Sequence, residues 1–465
     1  NAVLRRRPVN EAPGAPSSEN EVVQFGNFSF DLGTRTLTKS GAGTLTLSGA
    51  NTYAGATTVQ GGTLSINSLA NLSTASALGA PTTAGNGTIA LGSTTTSATL
   101  QYTGSGHSSN RVINLAGTTG GATLDASGSG ALTLTSALTA TGAGSKTLTL
   151  TGTSTAANTL SGAIVNNSGA NTTALAKTGT GTWELGGVNT FTGGVTVSDG
   201  TLTVKSGASL AATNDLSLSG GALNLDNAAQ TVASLAGSGG TINFGTGHIL
   251  TLAQITATSY AGVLAGAGGL TLNGSGGTVT LSGGSANTYA GNTAITEGTL
   301  ILAKTAGTNA IAGGTITVGN GTGTDVLRLG ASNQIGNGAN LTLAGGSFQL
   351  NNFSETLAAL RLDASSTIDF GSTAASLVFA DSSAQSWTGT LTIANYTTAS
   401  GNALRFGTSS AGLTAGQLAQ ISFTGYGAGV TIDGSGYVSP IPEPGTYAAL
   451  AGLAALALAA LRRRA

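Results

Sequence analysis

The side chains able to do chemistry are few and scattered. Two histidines, His107 in "GSGHSSN" and His248 in "GTGHIL", lie far apart in the chain. A zinc site needs three or four N, S or O ligands close together, so both read as loop or core residues. A Ser-His-Asp triad has serines in plenty but no acid beside either histidine. Cysteine is absent, which removes thiolate nucleophiles, thiolate metal sites and disulfides. The densest carboxylates are Asp363, Asp369 and Asp381 in "LDASSTIDFGSTAASLVFADSS". Paired carboxylates serve polysaccharide cleavage, and their spacing would bring Asp363 near Asp369 across a turn; solvated turn acids are the plainer reading. No Gly-Lys dipeptide occurs, so there is no phosphate-binding P-loop. No catalytic residue, cofactor or metal is expected.

Composition points the same way. Charged residues make up 7% of 465, against about 25% in a typical soluble domain. Binding nucleic acid takes clustered Lys and Arg. From Gly41 to Ala176 the only charges are Arg111, Asp125 and Lys146, so no nucleic-acid partner is expected. Arginines cluster only at the two ends, Arg5-Arg6-Arg7 and Arg462-Arg463-Arg464. The 75 glycines would suit disorder, but 40% of the chain is hydrophobic and the net charge is −1, unlike disordered chains. A fold with many tight turns is required. The chain opens at Asn1 on "NAVLRRRPVNEAPGAP", without the apolar run of a secretory signal. The expectation is a processed chain or fragment with a flexible polar segment over 1–24.

The elements that must position these side chains repeat. "KSGAGTLTLSGANTYAGATTVQGGTLSI" (39–66), "KTGTGTWELGGVNTFTGGVTVSDGTLTV" (177–204) and "GTVTLSGGSANTYAGNTAITEGTLIL" (277–302) superimpose. Each carries Asn-Thr-aromatic: Asn51 with Tyr53, Asn189 with Phe191, and Asn287 with Tyr289. In each, Gly-Thr-Leu follows at the same spacing, from Gly62, Gly200 and Gly298. Units of this length point to a solenoid. "TLTLS", "TVTLS" and "LTLAG" alternate apolar with polar residues, the period of a half-buried strand. No proline occurs between Pro81 and Pro440, as suits strands paired on both sides. "LTAGQLAQI", 413–421, is the one modest helix candidate there.

The predicted fold is therefore an all-β parallel solenoid over 25–402, ending in a cap or linker over 403–439. A rung of roughly 23 residues gives on the order of 17 rungs in a rod. A sandwich of short strands is the alternative. The Asn-Thr-aromatic sites would form recurring corners, with Asn in a left-handed-tolerant position and the ring over a glycine turn.

These residues resemble the autotransporter-associated β-strand repeat, also called the passenger-associated transport repeat. Gly41–Leu64 follows its pattern closely; Gly179–Leu202 and Gly277–Leu300 follow it well. Stretches 327–371 and 413–440 resemble segments that follow such repeats. The resemblance implies a right-handed β-helical, surface-displayed passenger region. No membrane β-barrel of alternating strands ends this chain, so self-transport is not implied. "NGTGTDVLR", 320–328, resembles a single Gly-Gly-x-Gly-x-Asp calcium repeat; such sites are built from tandem copies, and this chain has one.

The tail "IPEPGTYAALAGLAALALAALRRRA", 441–465, is unlike the rest. Tyr447–Leu461 is uncharged and rich in Ala and Leu, a short transmembrane helix of about 22 Å. Arg462, Arg463 and Arg464 would stop it on the cytoplasmic side. Pro442 and Pro444 would hold Glu443 extended. The layout resembles the PEP-CTERM sorting signal of Gram-negative bacteria, a domain sometimes labelled "ice-binding protein C-terminal". That resemblance implies an exosortase as transient partner, inner-membrane anchoring before processing, and delivery to the surface or extracellular matrix. The expected protein is a non-enzymatic adhesive or structural surface protein in contact with exopolysaccharide or matrix. A glycan- or ice-binding face, using threonine rows such as Thr133 and Thr135 or Thr147, Thr149 and Thr151, is the alternative. A polysaccharide-active enzyme is the third reading.

Overall fold

The computed structural model describes residues 22–226, 229–397 and 401–441. They form right-handed-type β-solenoids, about 16 turns in all, with almost no helix. Period-two alternation in the sequence becomes period-two burial: Ala98–Tyr102, Ala122–Ala126 and Thr173–Lys177 each alternate buried and half-buried positions. Small β-branched and polar residues face out while Leu, Val and Ile fill the interior. The chain divides into two compact units. One reaches Thr251 and takes in Gly262–Ala265; the other comprises Leu252–Ala261 and continues from Gly266.

In the first unit the chain visits three sheets in turn, and rungs pair in parallel. Register stacks like on like: Leu45, Leu64, Leu100, Leu124 and Leu150 form one inward column. Lys177 takes the next place, followed by Val197 and Leu218. The start departs from parallel pairing. Val22–Phe25 and Phe28–Asp31 form an antiparallel hairpin laid against Thr36–Lys39.

The second unit is built the same way. Leu300, Leu327, Phe348, Ile368, Ile393 and Phe423 form one column in register, and all six are buried. Strands Gly269–Gly283 and Thr293–Lys304 are long and turn a corner through register shifts at Asn273. This unit also ends antiparallel: Ala403–Phe406 pairs with Tyr437–Pro440, which pairs with Val430–Ile432.

The one helix expected in the strand-rich span occurs as Ala415–Ala419. Thr414 and Gln417 close a capping box at its start. A further single turn at Ala84–Gly87 was not foreseen; Thr83 caps it. Among the described residues no helix is long and apolar enough to cross a membrane. The transmembrane helix expected over Tyr447–Leu461 lies outside the described residues.

Candidate functional site

The scattered titratable groups stay scattered. His107 Nδ1 meets the Tyr102 hydroxyl at 2.6 Å, and His248 Nδ1 meets the Leu225 carbonyl at 2.9 Å. Asp363 pairs with Arg361 at 2.6 Å on an exposed face. Asp369 accepts from the Gly371 amide at 2.9 Å and from Asn395 Nδ2 at 2.7 Å. Asp381 accepts from the Ser383 amide, and these bonds to Ser383 hold its carboxyl below the usual range. Each of the three acids is committed to its own local partners. Among the described residues no three His, Cys, Asp or Glu side chains gather as a metal site.

The Asn-Thr-aromatic stretches lie outside the strands, and their asparagines act differently from expectation. None of Asn51, Asn189 or Asn287 has a positive φ. Their side-chain amides instead tie one rung to the next. Asn51 Nδ2 donates to Ala77 O at 2.8 Å, Asn189 Nδ2 to Ser209 O at 2.9 Å, and Asn287 Nδ2 to Ala310 O at 2.7 Å. Asn189 also accepts from the Ile164 amide of the rung before, at 2.9 Å. A side-chain amide can donate and accept at once, so it can bridge where turns interrupt the backbone ladder.

The aromatic position has a matched partner four residues on. The Tyr53 hydroxyl meets Thr57 Oγ1 at 3.1 Å, and that of Tyr289 meets Thr293 Oγ1 at 2.6 Å. Where the ring is Phe191, with no hydroxyl, the residue four on is Val195. A buried hydroxyl thus comes with an acceptor, and a bare ring with a methyl group. At Tyr53 the ring lies against Gly79, whose φ of +71° makes a turn; a Cβ there would fall 2.9 Å from ring carbons.

Sequence reasoning missed the buried lysines. Lys39, Lys146, Lys177 and Lys304 are all at most 4% exposed. Lys177 Nζ donates to the carbonyls of Thr178, Gly179 and Asp199 at 2.8, 2.6 and 3.0 Å. Lys39 does the same at the equivalent place, to Ser40, Gly41 and Gly61. The ammonium gathers orphan carbonyls of two successive turns. The glycine of Gly-Thr-Leu is required by the backbone: Gly62, Gly200 and Gly298 all have positive φ, and a Cβ there would fall 2.5 Å from Gly43 O, 2.4 Å from Gly179 O and 2.7 Å from Gly274 O. Burial pulls Lys177 down to about 8, with Asp199 opposing. The signal was present, since Lys opens both repeats four residues before the Gly-Thr pair that starts the strand.

Two other buried charges do similar work. Arg111 donates from Nε to Gly87 O and from Nη1 to Leu78 O, both at 2.7 Å. Burial lowers it to about 10. In the second unit Glu355 accepts from the amides of Gln334, Ile335 and Thr356 at 2.6, 3.1 and 3.0 Å. Burial pushes its carboxyl up to about 7, against the opposing pull of those amides.

The outer surface offers shallow hydroxyl-lined features. Thr44, Thr63, Thr99, Thr123 and Thr149 stack in register as one outward row, broken next by Ala176. The row through Thr133 reaches Thr159 and then Glu184. An open groove of about 370 Å³ runs past Ser97, Thr123, Ser145, Lys146, Thr147 and Thr149. A second, of about 300 Å³, lies beside Asp325 in the other unit.

The sorting residues Pro442, Glu443, Pro444 and Arg462, Arg463, Arg464 lie outside the described residues. Comparison with known proteins covers them. The chain carries three passenger-associated-transport-repeats, at 37–66, 175–204 and 275–302. It also carries a PEP-CTERM protein-sorting motif at 440–464. It is 33% identical over 220 residues to the adhesin BmaC autotransporter of Brucella suis biovar 1 (strain 1330). That alignment takes in 47% of this chain and only 6% of the adhesin's length. No solved structure matches the chain significantly.

Proposed function

We propose that this chain is an exported, non-enzymatic surface protein whose solenoid is displayed for adhesion and whose C-terminal tail directs its sorting. The observation that carries the reading is the joining of passenger-type repeats to a PEP-CTERM motif in one chain. The repeats supply a surface of turns and threonine rows with no committed chemistry. The tail supplies the address. In this reading residues 1–24 are a polar N-terminal segment before the solenoid of 25–402, residues 403–439 are its terminal cap or linker, and 440–465 are the sorting signal. An exosortase at the inner membrane recognises Pro442-Glu443-Pro444 while the apolar stretch 447–461 and Arg462, Arg463 and Arg464 hold the chain in place. Release then places the solenoid at the surface or in the matrix, in contact with exopolysaccharide. The likeness to an adhesin supports the adhesive role.

Fractionation of cells expressing the full chain tests the sorting. The wild type is expected at the surface or in the medium, shortened at its C-terminus, and Glu443→Ala full-length in the membrane. Equal surface delivery of both would overturn the sorting reading. Loss of cell attachment on deletion of the gene, restored by the wild type, tests adhesion.

The stacked threonine row favours a second reading, a hydroxyl-rich face that binds glycan or ice. Replacing Thr99, Thr123 and Thr149 by Lys would abolish glycan retention or ice shaping by the purified protein if that face binds. Neither activity in the wild type removes this reading.

A further inference from the structure

Among the described residues one buried carboxylate completes no hydrogen bond of good geometry. Asp325 begins the strand Asp325–Leu329 and is 3% exposed. Both of its carboxylate oxygens are sealed from solvent and complete no hydrogen bond. The Asn320 amide faces it and eases the burial only in part. An ionised carboxylate left so is costly.

A second acid lies on the same turn. Asp325 pairs in register with Gly298, the neighbour of Glu297. The Glu297 carboxylate reaches over the same turn: a Cβ on Gly323 would lie 3.6 Å from its Oε1. Two like charges therefore face one turn, and Glu297 adds to the burial that raises Asp325. The turn itself is drawn tight by positive φ at Gly319, Gly321 and Gly323. The groove beside it is lined by Thr324, Asp325, Ser347, Ser366 and Thr367, and no lysine or arginine enters it. Arg328, on the same strand, is turned to Gln349 at 2.7 Å.

We propose that Asp325 and Glu297 hold a hard divalent cation of the calcium class against the 319–325 turn. Calcium accepts six to eight oxygens, many of them backbone carbonyls, hydroxyls or water, so two carboxylates suffice as anchors. The cation satisfies the stranded Asp325 oxygens and removes the repulsion between the two acids. The affinity belongs to the weak range of extracellular modules, with Kd about 10⁻⁴–10⁻³ M. The site departs from the sequence expectation, in which a single Gly-x-Gly-x-Asp stretch argued against calcium. The second ligand comes from the rung before, where sequence spacing does not reveal it.

The test is calorimetric titration of the EDTA-stripped full chain with CaCl2, paired with thermal melts in CaCl2 and in MgCl2. The expected result is one calcium per chain and a melting temperature raised by a few degrees at about 5 mM, well above that Kd. Asp325→Asn and Glu297→Gln should each weaken binding at least tenfold, while Asp363→Asn, an exposed acid, binds as the wild type does. Calcium-free Asp325→Asn should melt no lower than the calcium-free wild type, because the stranded charge is gone. No heat and no melting shift in the wild type would overturn the proposal, as would calcium binding unchanged by Asp325→Asn. Should Asp325→Asn fail to fold, Glu297→Gln decides, since Glu297 is only half-buried.

Discussion

At Lys177 two opposing effects can be weighed. Removing an ammonium from water is costly, and burial draws this one down to about 8. Against that stand three short bonds to carbonyls that have no other donor at the turn. A charged hydrogen bond contributes roughly 1.5–3 kcal/mol, and a stranded buried carbonyl costs a comparable amount. The bonds win. Lys177→Met keeps the length and apolar stem but strands the carbonyls, and should lower stability by about 3 kcal/mol. Hydrogen exchange checks it: protection should fall in 173–185 and 195–204. Unchanged exchange there would show that water replaces the ammonium at no cost.

Glu355 gives a residue-scale pH dependence of definite sign. Its folded carboxyl sits at about 7, above the ordinary 4.5. The folded state therefore holds the proton more tightly than the unfolded one. That stabilisation is complete below about pH 4.5 and is lost as pH rises through about 7. The shift amounts to about 3 kcal/mol. Melting temperature should fall between pH 5 and 8, and Glu355→Gln should flatten the curve; parallel curves would assign the dependence to other groups.

At the scale of the element, the repeat is a set of matched side chains around one corner. The Tyr289–Thr293 pair is the sharpest case, with both residues fully buried. Thr293→Val removes the hydroxyl that the Tyr289 phenol meets and should cost about 1 kcal/mol. Adding Tyr289→Phe recreates the Phe191–Val195 arrangement of the second repeat, so the double variant should recover most of that loss. A double-mutant cycle in urea measures the coupling, and strict additivity would show the hydroxyls act apart. Much of this was legible. Period two in "TLTL" gave the strands, the shared spacing after Asn-Thr-aromatic gave the rungs, and "LTAGQLAQI" marked the helix at Ala415–Ala419. What the asparagines do was not legible, because Asn suits both a left-handed turn and an amide bridge, and only the next rung's carbonyl decides between them. The buried lysines were hidden for the same reason. A lysine reads as solvated until the turns that receive its Nζ are in place. Asp325 and Glu297 meet only across rungs, and the strands' inward columns say nothing about them.

At the scale of the whole molecule, a solenoid has no single core. Each rung is held by its neighbours, so the terminal rungs expose backbone donors and acceptors to any passing strand. The described chain answers this at both ends by leaving parallel pairing. The hairpin Val22–Asp31 covers the first parallel strand, and Val430–Pro440 folds back on Ala403–Phe406. The covering edge strands are four and three residues long, and short edges are poor templates for further pairing. The N-terminal hairpin makes no part of the repeat pattern, so the sequence periodicity did not announce it, whereas the stretch 403–439 is where the sequence analysis places a cap or linker. If these caps protect the edges, their removal has a specific consequence. A chain ending at Ile441 keeps the C-terminal cap and should stay monomeric in light scattering. A chain ending at Ala428 loses Val430–Ile432 and Tyr437–Pro440, which uncovers Ala403–Phe406. Its Leu404 and Phe406 backbone is then free to pair with another copy, and it should self-associate in proportion to concentration. Restoring the cap as a separate peptide, residues 429–441, should reverse that association. Equal monomeric behaviour of the two chains would mean that Ala403–Phe406 is protected by its shortness alone.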